Sequence, residues 1–165
     1  MQDGAQGCGS PSRDAGKFYV DESTTKSEVA RVFGLSSEGR IRLSRTGSDL
    51  VLFSDPWSAE HLGHNFDGWS AEGAGVYYFK GEGQSGDQQL ARGNRHIYEH
   101  AKDGVSLRVF VAAHEERLSP LPQVYLGRFQ IDPPDPYRPA IAPDRQGKPR
   151  RVLVFKLVQL DDTGP

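Results

Sequence analysis

No stretch of this sequence approaches the about 18 consecutive apolar residues that a membrane-crossing helix needs, and no charged-then-apolar leader opens it. A cytoplasmic, nucleoid-associated protein is expected. Cysteine is nearly absent: Cys8 stands alone, which excludes an internal disulfide and any Cys-based zinc site. His96, His100 and His114 have no thiol or carboxylate partner at zinc spacing, so neither a metal nor another cofactor is expected. A cationic excess is missing too. Lys and Arg number 20 against 22 Asp and Glu, a formal net charge of -2, so any contact with nucleic acid must come from a local patch. The glycine-rich stretch "GEGQSGD" lacks the Gly-Lys-Ser/Thr that opens a P-loop helix, which argues against that kind of nucleotide site.

What the chain does have is glycine (19) and proline (11) in 165 residues, a balance that favours short strands and many turns over long helices. The length suits one compact domain. Residues 1–16 offer almost nothing to bury and are expected to be a disordered leader, leaving a domain over 17–165. "TTKSEVARVFGL" carries apolar residues at near-helical spacing after Ser27, a candidate N-cap, and stops at Gly34. "RIRLSR" and "DLVLFSD" read as strands around a tight turn; "GVYYFKG", "VSLRVFVAA", "QVYLGRFQID" and "RRVLVFKLVQL" are further strands. "DQQLARGNRHIYEHAKDG" reads as a turn and helix, and the Pro-rich "PPDPYRPAIAPDRQGKP" as a long connection that cannot be a central strand.

The stretch from Tyr77 to Ile97, "YYFKGEGQSGDQQLARGNRHI", admits two readings. Its glycines can simply turn a hairpin whose aromatics are core. Alternatively they let the backbone approach a flat group held between aromatic side chains, with Lys80, Arg92 and Arg95 meeting phosphates. Asp87 and Gln88 read as groups that cap the next helix and tie the glycine loop down, and Asn94 as satisfying backbone in the same loop. A rival reading takes "TTKSEVARVFGLSSEGRIRLSR" as a helix-turn-helix regulator whose recognition helix opens at Ser36, although Gly39 and the strand-like "IRLSR" oppose it.

The order "FDGW…GVYYFKGEGQSGDQQLARGNRHI", then "VYLGRF" and "RVLVFKL", resembles the SAD/SRA (SET and RING-associated, YDG) family, in particular the SRA-like domains linked to HNH nucleases in bacterial modification-dependent restriction endonucleases. The resemblance runs over about residues 28–160. It departs from the family at Tyr125-Leu126-Gly127, where Tyr-Asp-Gly is common. It implies an α+β fold built on a PUA-like SRA β-barrel with a few short flanking helices. The implied partner is double-stranded DNA containing modified cytosine, bound by flipping the base into an aromatic pocket. That pocket maps onto Phe79 on the strand, Phe66 or Trp69 on the preceding loop, Asp67 as acceptor for the cytosine amino group, and Lys80-Gly81 beside them. Arg42, Ser44, Arg45, Gln84, Arg92 and Arg95 are the expected DNA-backbone contacts. No HNH ligand set is recognisable, so a reader without catalysis of its own is expected, with any nuclease as a separate partner.

Overall fold

The computed structural model describes residues 18–35, 38–61, 66–114 and 117–161. The leader expected over 1–16 lies outside the described residues. Among those described, nine strands and three short helices appear in the order β1 (Ser23–Thr25), α1 (Lys26–Phe33), β2 (Ile41–Leu43), β3 (Asp49–Ser54), α2 (Pro56–His61), β4 (Gly68–Trp69), β5 (Val76–Lys80), α3 (Gly93–Glu99), β6 (Ser106–Ala112), β7 (Pro122–Ile131), β8 (Tyr137–Pro143) and β9 (Pro149–Gln159).

The strands form one sheet in the order β2-β3-β6-β7-β9-β5-β4, with β1 on β7 and β8 on β9. Every pairing is antiparallel except β3 with β6, whose crossover carries α2, β4, β5 and α3. The backbone path is open at β2 and β4, which corrects the expectation of a closed barrel. The end strands are three and two residues long, and among the described residues each pairs on one side only. The sheet nevertheless curls. Inward residues from β2, β3, β5, β6, β7 and β9 share one core, including Leu50, Leu52, Phe79, Val109, Phe129 and Phe155. Side chains span the gap instead: Ser54, at the end of β3, donates to Asp67, just before β4, at 2.6 Å.

The continuous apolar run of β3 follows from covering on both faces. Leu50 and Leu52 point into the curl, while Val51 and Phe53 join Phe18, Val29, Phe33, Phe110 and Tyr125 beneath α1. That helix begins two residues earlier than the expected Ser27 cap: Thr25 Oγ1 accepts the Glu28 amide at 3.2 Å, and Gly34, at φ 67, ends it. Ser36 and Ser37 lie outside the described residues, and residues 38–40 lead straight into β2, so among the described residues no recognition helix follows and the helix-turn-helix reading fails. Gly39 and the alternation of Ile41-Arg42-Leu43 decide in favour of strand.

Two further readings change. The Pro-rich connection contains β8, which among the described residues is an edge strand paired with β9 alone, where Pro139 and Pro143 are tolerated. At Tyr125-Leu126-Gly127 the pairing of β6 with β7 slips, Val109 opposing Gly127 and Phe110 opposing Tyr125, so Leu126 is the extra residue of a bulge. Both sheet faces are covered here, so the adjacent residues are both buried, Tyr125 beneath α1 and Leu126 in the curl. This motif is core packing here.

Candidate nucleic-acid interface

β5 ends at Lys80, and the chain then runs through a glycine loop to α3. The order of residues in that loop is explained by what its backbone needs. Backbone bonds tie it to β9 at its two ends, the Gly81 amide to the Leu153 carbonyl at 2.7 Å and the Gln88 amide to the Arg151 carbonyl at 2.9 Å, and between them side chains satisfy its carbonyls and amides. Asn94, 1% exposed, accepts the Glu82 amide at 2.8 Å and donates to the carbonyls of Glu82 and Gln89 at 3.0 and 2.9 Å. Gln88 donates to the Gly81 carbonyl at 2.9 Å and accepts the Leu153 amide of β9 at 2.9 Å. Gly81 is required by this close approach: a Cβ there would stand 2.6 Å from Asn94 Oδ1. Asp87 spans to β9 by accepting the Arg151 amide at 2.8 Å. Its expected capping role is not seen, since the N-cap of α3 is Arg92, which makes no side-chain capping bond. The Glu82 carboxylate instead takes the Gly93 amide at 2.9 Å.

Beside this pinned loop lies a cleft of about 670 Å³, walled by residues 80–84, by Gly39-Arg40, and by the turn between β8 and β9. Arg40, Lys80, Arg145 and Arg150 face two carboxylates, Glu82 and Asp144, in its lining, so a chain of net negative charge concentrates positive charge here. Arg150 donates to the carbonyls of Gly83 and Gly86, and its Nε is buried with no hydrogen-bond partner among the described residues. Burial, reinforced by the nearby Arg40 charge, pushes the Lys80 ammonium below its ordinary pKa. That favours a ligand able to return negative charge.

The back of the cleft is organised by Asp67, whose side chain is 4% exposed. Its Oδ1 accepts the Lys80 amide at 2.8 Å, and its Oδ2 accepts Arg40 at 2.7 Å and the Ser54 hydroxyl at 2.6 Å. Ser54 Oγ also bonds the Tyr77 hydroxyl at 2.7 Å, and burial pushes the Tyr77 phenol well above its ordinary pKa. Arg40 donates to the Lys80 carbonyl at 2.9 Å and sets its guanidinium over the Phe79 ring, 4.3 Å from the centroid.

The expected pocket is thus only partly assembled. Asp67, Phe79, Lys80 and Gly81 come together, Phe79 with no exposed surface. Phe66 does not join them: it packs with Tyr78 against Ala142, Val152 and Val154 on the opposite face of β5, because successive strand residues alternate. Trp69, 48% exposed, stands edge-on to Tyr77 at 5.3 Å and near Phe129, outside the cleft lining.

Of the expected backbone contacts, Gln84 lines the cleft, and Arg45, Arg92 and Arg95 are exposed, Arg95 paired with Glu99 at 3.3 Å. Arg42 donates to the Gly39 carbonyl at 2.8 Å and lies over Phe53. Ser44 is corrected: it is buried, and its hydroxyl accepts the Asp49 amide at 3.1 Å to close the turn between β2 and β3. Arg40, Arg145 and Arg150 were not legible as site residues. The one local signal was the turn "DRQGK", which contains Arg145 and is followed closely by Arg150 and Arg151. Among the described residues, no group of three or more His, Cys, Asp or Glu could hold a metal ion, and no helix is long and apolar enough to cross a membrane.

A family model described as "ScoMcrA-like, SRA domain" matches residues 20–164. Among solved structures, the sulfur binding domain and SRA domain of ScoMcrA complexed with phosphorothioated DNA is similar at a TM-score of 0.65 and 20% identity, covering 87% of this chain and 40% of that one. The DNA modification-dependent restriction endonuclease AspBHI is similar at 0.62 and 18% identity, over 86% and 42% of the two chains. The SUVH5 SRA bound to fully hydroxymethylated CG DNA is similar at 0.57 and 19% identity, over 88% and 91%. The chain therefore spans less than half the length of the ScoMcrA and AspBHI chains. No curated protein matches it.

Proposed function

The chain belongs to the ScoMcrA-like SRA domain family, and on that premise we propose that it reads modified DNA, binding duplexes that carry 5-methylcytosine by flipping the base into the cleft beside the glycine loop. The observation that carries this reading is the cleft itself: about 670 Å³, within the size range of small-ligand sites, and lined by four cations in a protein of net charge -2. In this reading Lys80 and Arg145 meet the phosphates flanking an extruded nucleotide, Arg150 adds its charge from behind the loop, and the glycines let backbone come close to the base. Extrusion costs a few kcal/mol of stacking and pairing, which stacking at about 1–3 kcal/mol per base face and phosphate contacts can offset.

Discrimination by one methyl group is worth about 1–3 kcal/mol, so preference over unmodified cytosine is expected to be about 10- to 200-fold rather than absolute. The domain has no catalytic role in this reading. Where it serves restriction, another module cuts, and the domain over 17–165 acts as the recognition part. Titrating matched duplexes with no modification, one 5-methylcytosine, one 5-hydroxymethylcytosine or one phosphorothioate, each with 2-aminopurine opposite or beside the target, tests it. Tighter binding to the methylated duplex with a rise in 2-aminopurine fluorescence is expected. Equal affinity for all four would overturn modification reading, and preference for the phosphorothioate alone would move recognition from base to backbone.

A further inference from the structure

Phe79, the aromatic face that a flipped base is expected to meet, has no exposed surface, and Arg40, which lines the cleft, lies over it at 4.3 Å. The guanidinium is held on three sides: the Phe79 ring, Asp67 Oδ2 at 2.7 Å, and the Lys80 carbonyl at 2.9 Å. Its side chain keeps 35% exposure, whereas that of Asp67 keeps 4%. Swinging Arg40 aside to bare Phe79 would strand a buried carboxylate, which is the costly way to break an ion pair. A ligand that meets the outer side of the guanidinium breaks none of these bonds.

We propose that Arg40, not Phe79, is the surface on which the flipped base stacks, giving a layered order of ring, guanidinium and base; this rests on the cleft being a nucleobase site. Guanidinium planes stack on bases as aromatic rings do, and an ammonium does not. The arrangement also gives Asp67 a purpose its geometry supports. Its oxygens are already taken by Lys80, Arg40 and Ser54, so it acts as a positioning residue that holds the platform flat.

The test compares wild type with Arg40→Lys on duplexes with and without one 5-methylcytosine, with thermal unfolding measured alongside. Lysine keeps the charge near Asp67 and removes the plane. A folded Arg40→Lys protein is expected to lose about tenfold in the ratio of its affinities for methylated over unmodified duplex, whatever loss the two duplexes share. Retained preference in that folded variant would overturn the platform. If the variant does not fold, wild type decides: phenylglyoxal modification, mapped by peptide mass, should be slowed at Arg40 by the methylated duplex more than by the unmodified one. Unchanged or faster modification would mean that Arg40 is bypassed or displaced. Wild type without any preference for modified DNA would instead sink the nucleobase reading itself.

Discussion

His100, which its sequence spacing left without a metal partner, takes a specific structural role from its neighbours in the fold. It is 4% exposed; its Nε2 accepts the Ile131 amide at 3.1 Å, so the proton sits on Nδ1, which donates to the Val105 carbonyl at 2.9 Å. Burial holds its pKa below the ordinary value, against the smaller opposing effect of the Val105 bond. The unfolded chain, titrating at about 6.5, therefore binds the proton more readily than the folded one. Stability should be level above that pH and fall as pH drops below it, until the folded-state pKa is passed. Melting temperature against pH from 8 to 5 checks this: a His100→Gln variant should lose that part of the slope, and an unchanged slope would assign it to other groups.

At the scale of elements, the glycine loop depends on Asn94 and Gln88 for what a sheet would otherwise supply. Gly81→Ala drives a methyl to within 2.6 Å of Asn94 Oδ1, an amide held by three hydrogen bonds and unable to yield freely. A loss of about 1–3 kcal/mol in urea denaturation is expected, in the range of overpacking. Because the loop also walls the cleft, DNA binding should weaken with it. Gly86→Ala is the control: nothing lies within 4 Å of its added Cβ, so only the strain of φ 71 is felt. Equal stability of Gly81→Ala and wild type would show that the loop is not held as tightly as its bonds imply.

For the whole molecule, net charge and site charge have opposite signs. An acidic protein gains DNA affinity only where Arg40, Lys80, Arg145 and Arg150 cluster, with Arg92 and Arg95 on the exposed side of α3. Each phosphate neutralised adds about -0.9 to the slope of log affinity against log salt, so three to five contacts predict a slope of about -3 to -5. Arg95→Ala should make that slope shallower by about 1 and weaken methylated and unmethylated duplexes alike, because a phosphate carries no base identity. Its pairing with Glu99 is exposed and contributes little to folding, so stability should hardly move. An affinity flat in salt would count against the cationic cleft.

Local pattern was enough for much of this protein. Alternation and β-branched runs marked β2, β3, β5, β6, β7 and β9, Gly34 marked the end of α1, and the roles of Gln88 and Asn94 followed from a glycine loop that must satisfy its own backbone. Those features depend on residues near one another in sequence, or on chemistry that any loop demands. Which face Phe66 and Phe79 take, whether Asp67 is free, and that Arg40 covers the aromatic ring depend on contacts between residues far apart in sequence, made only when the sheet curls. The same holds for Arg145 and Arg150, brought to the cleft by an edge strand that proline disguised as a connection. Sequence determined which residue types were available for a cationic, glycine-walled cleft; only tertiary packing decided which of them meet, because curvature and strand register set contacts that no local pattern encodes.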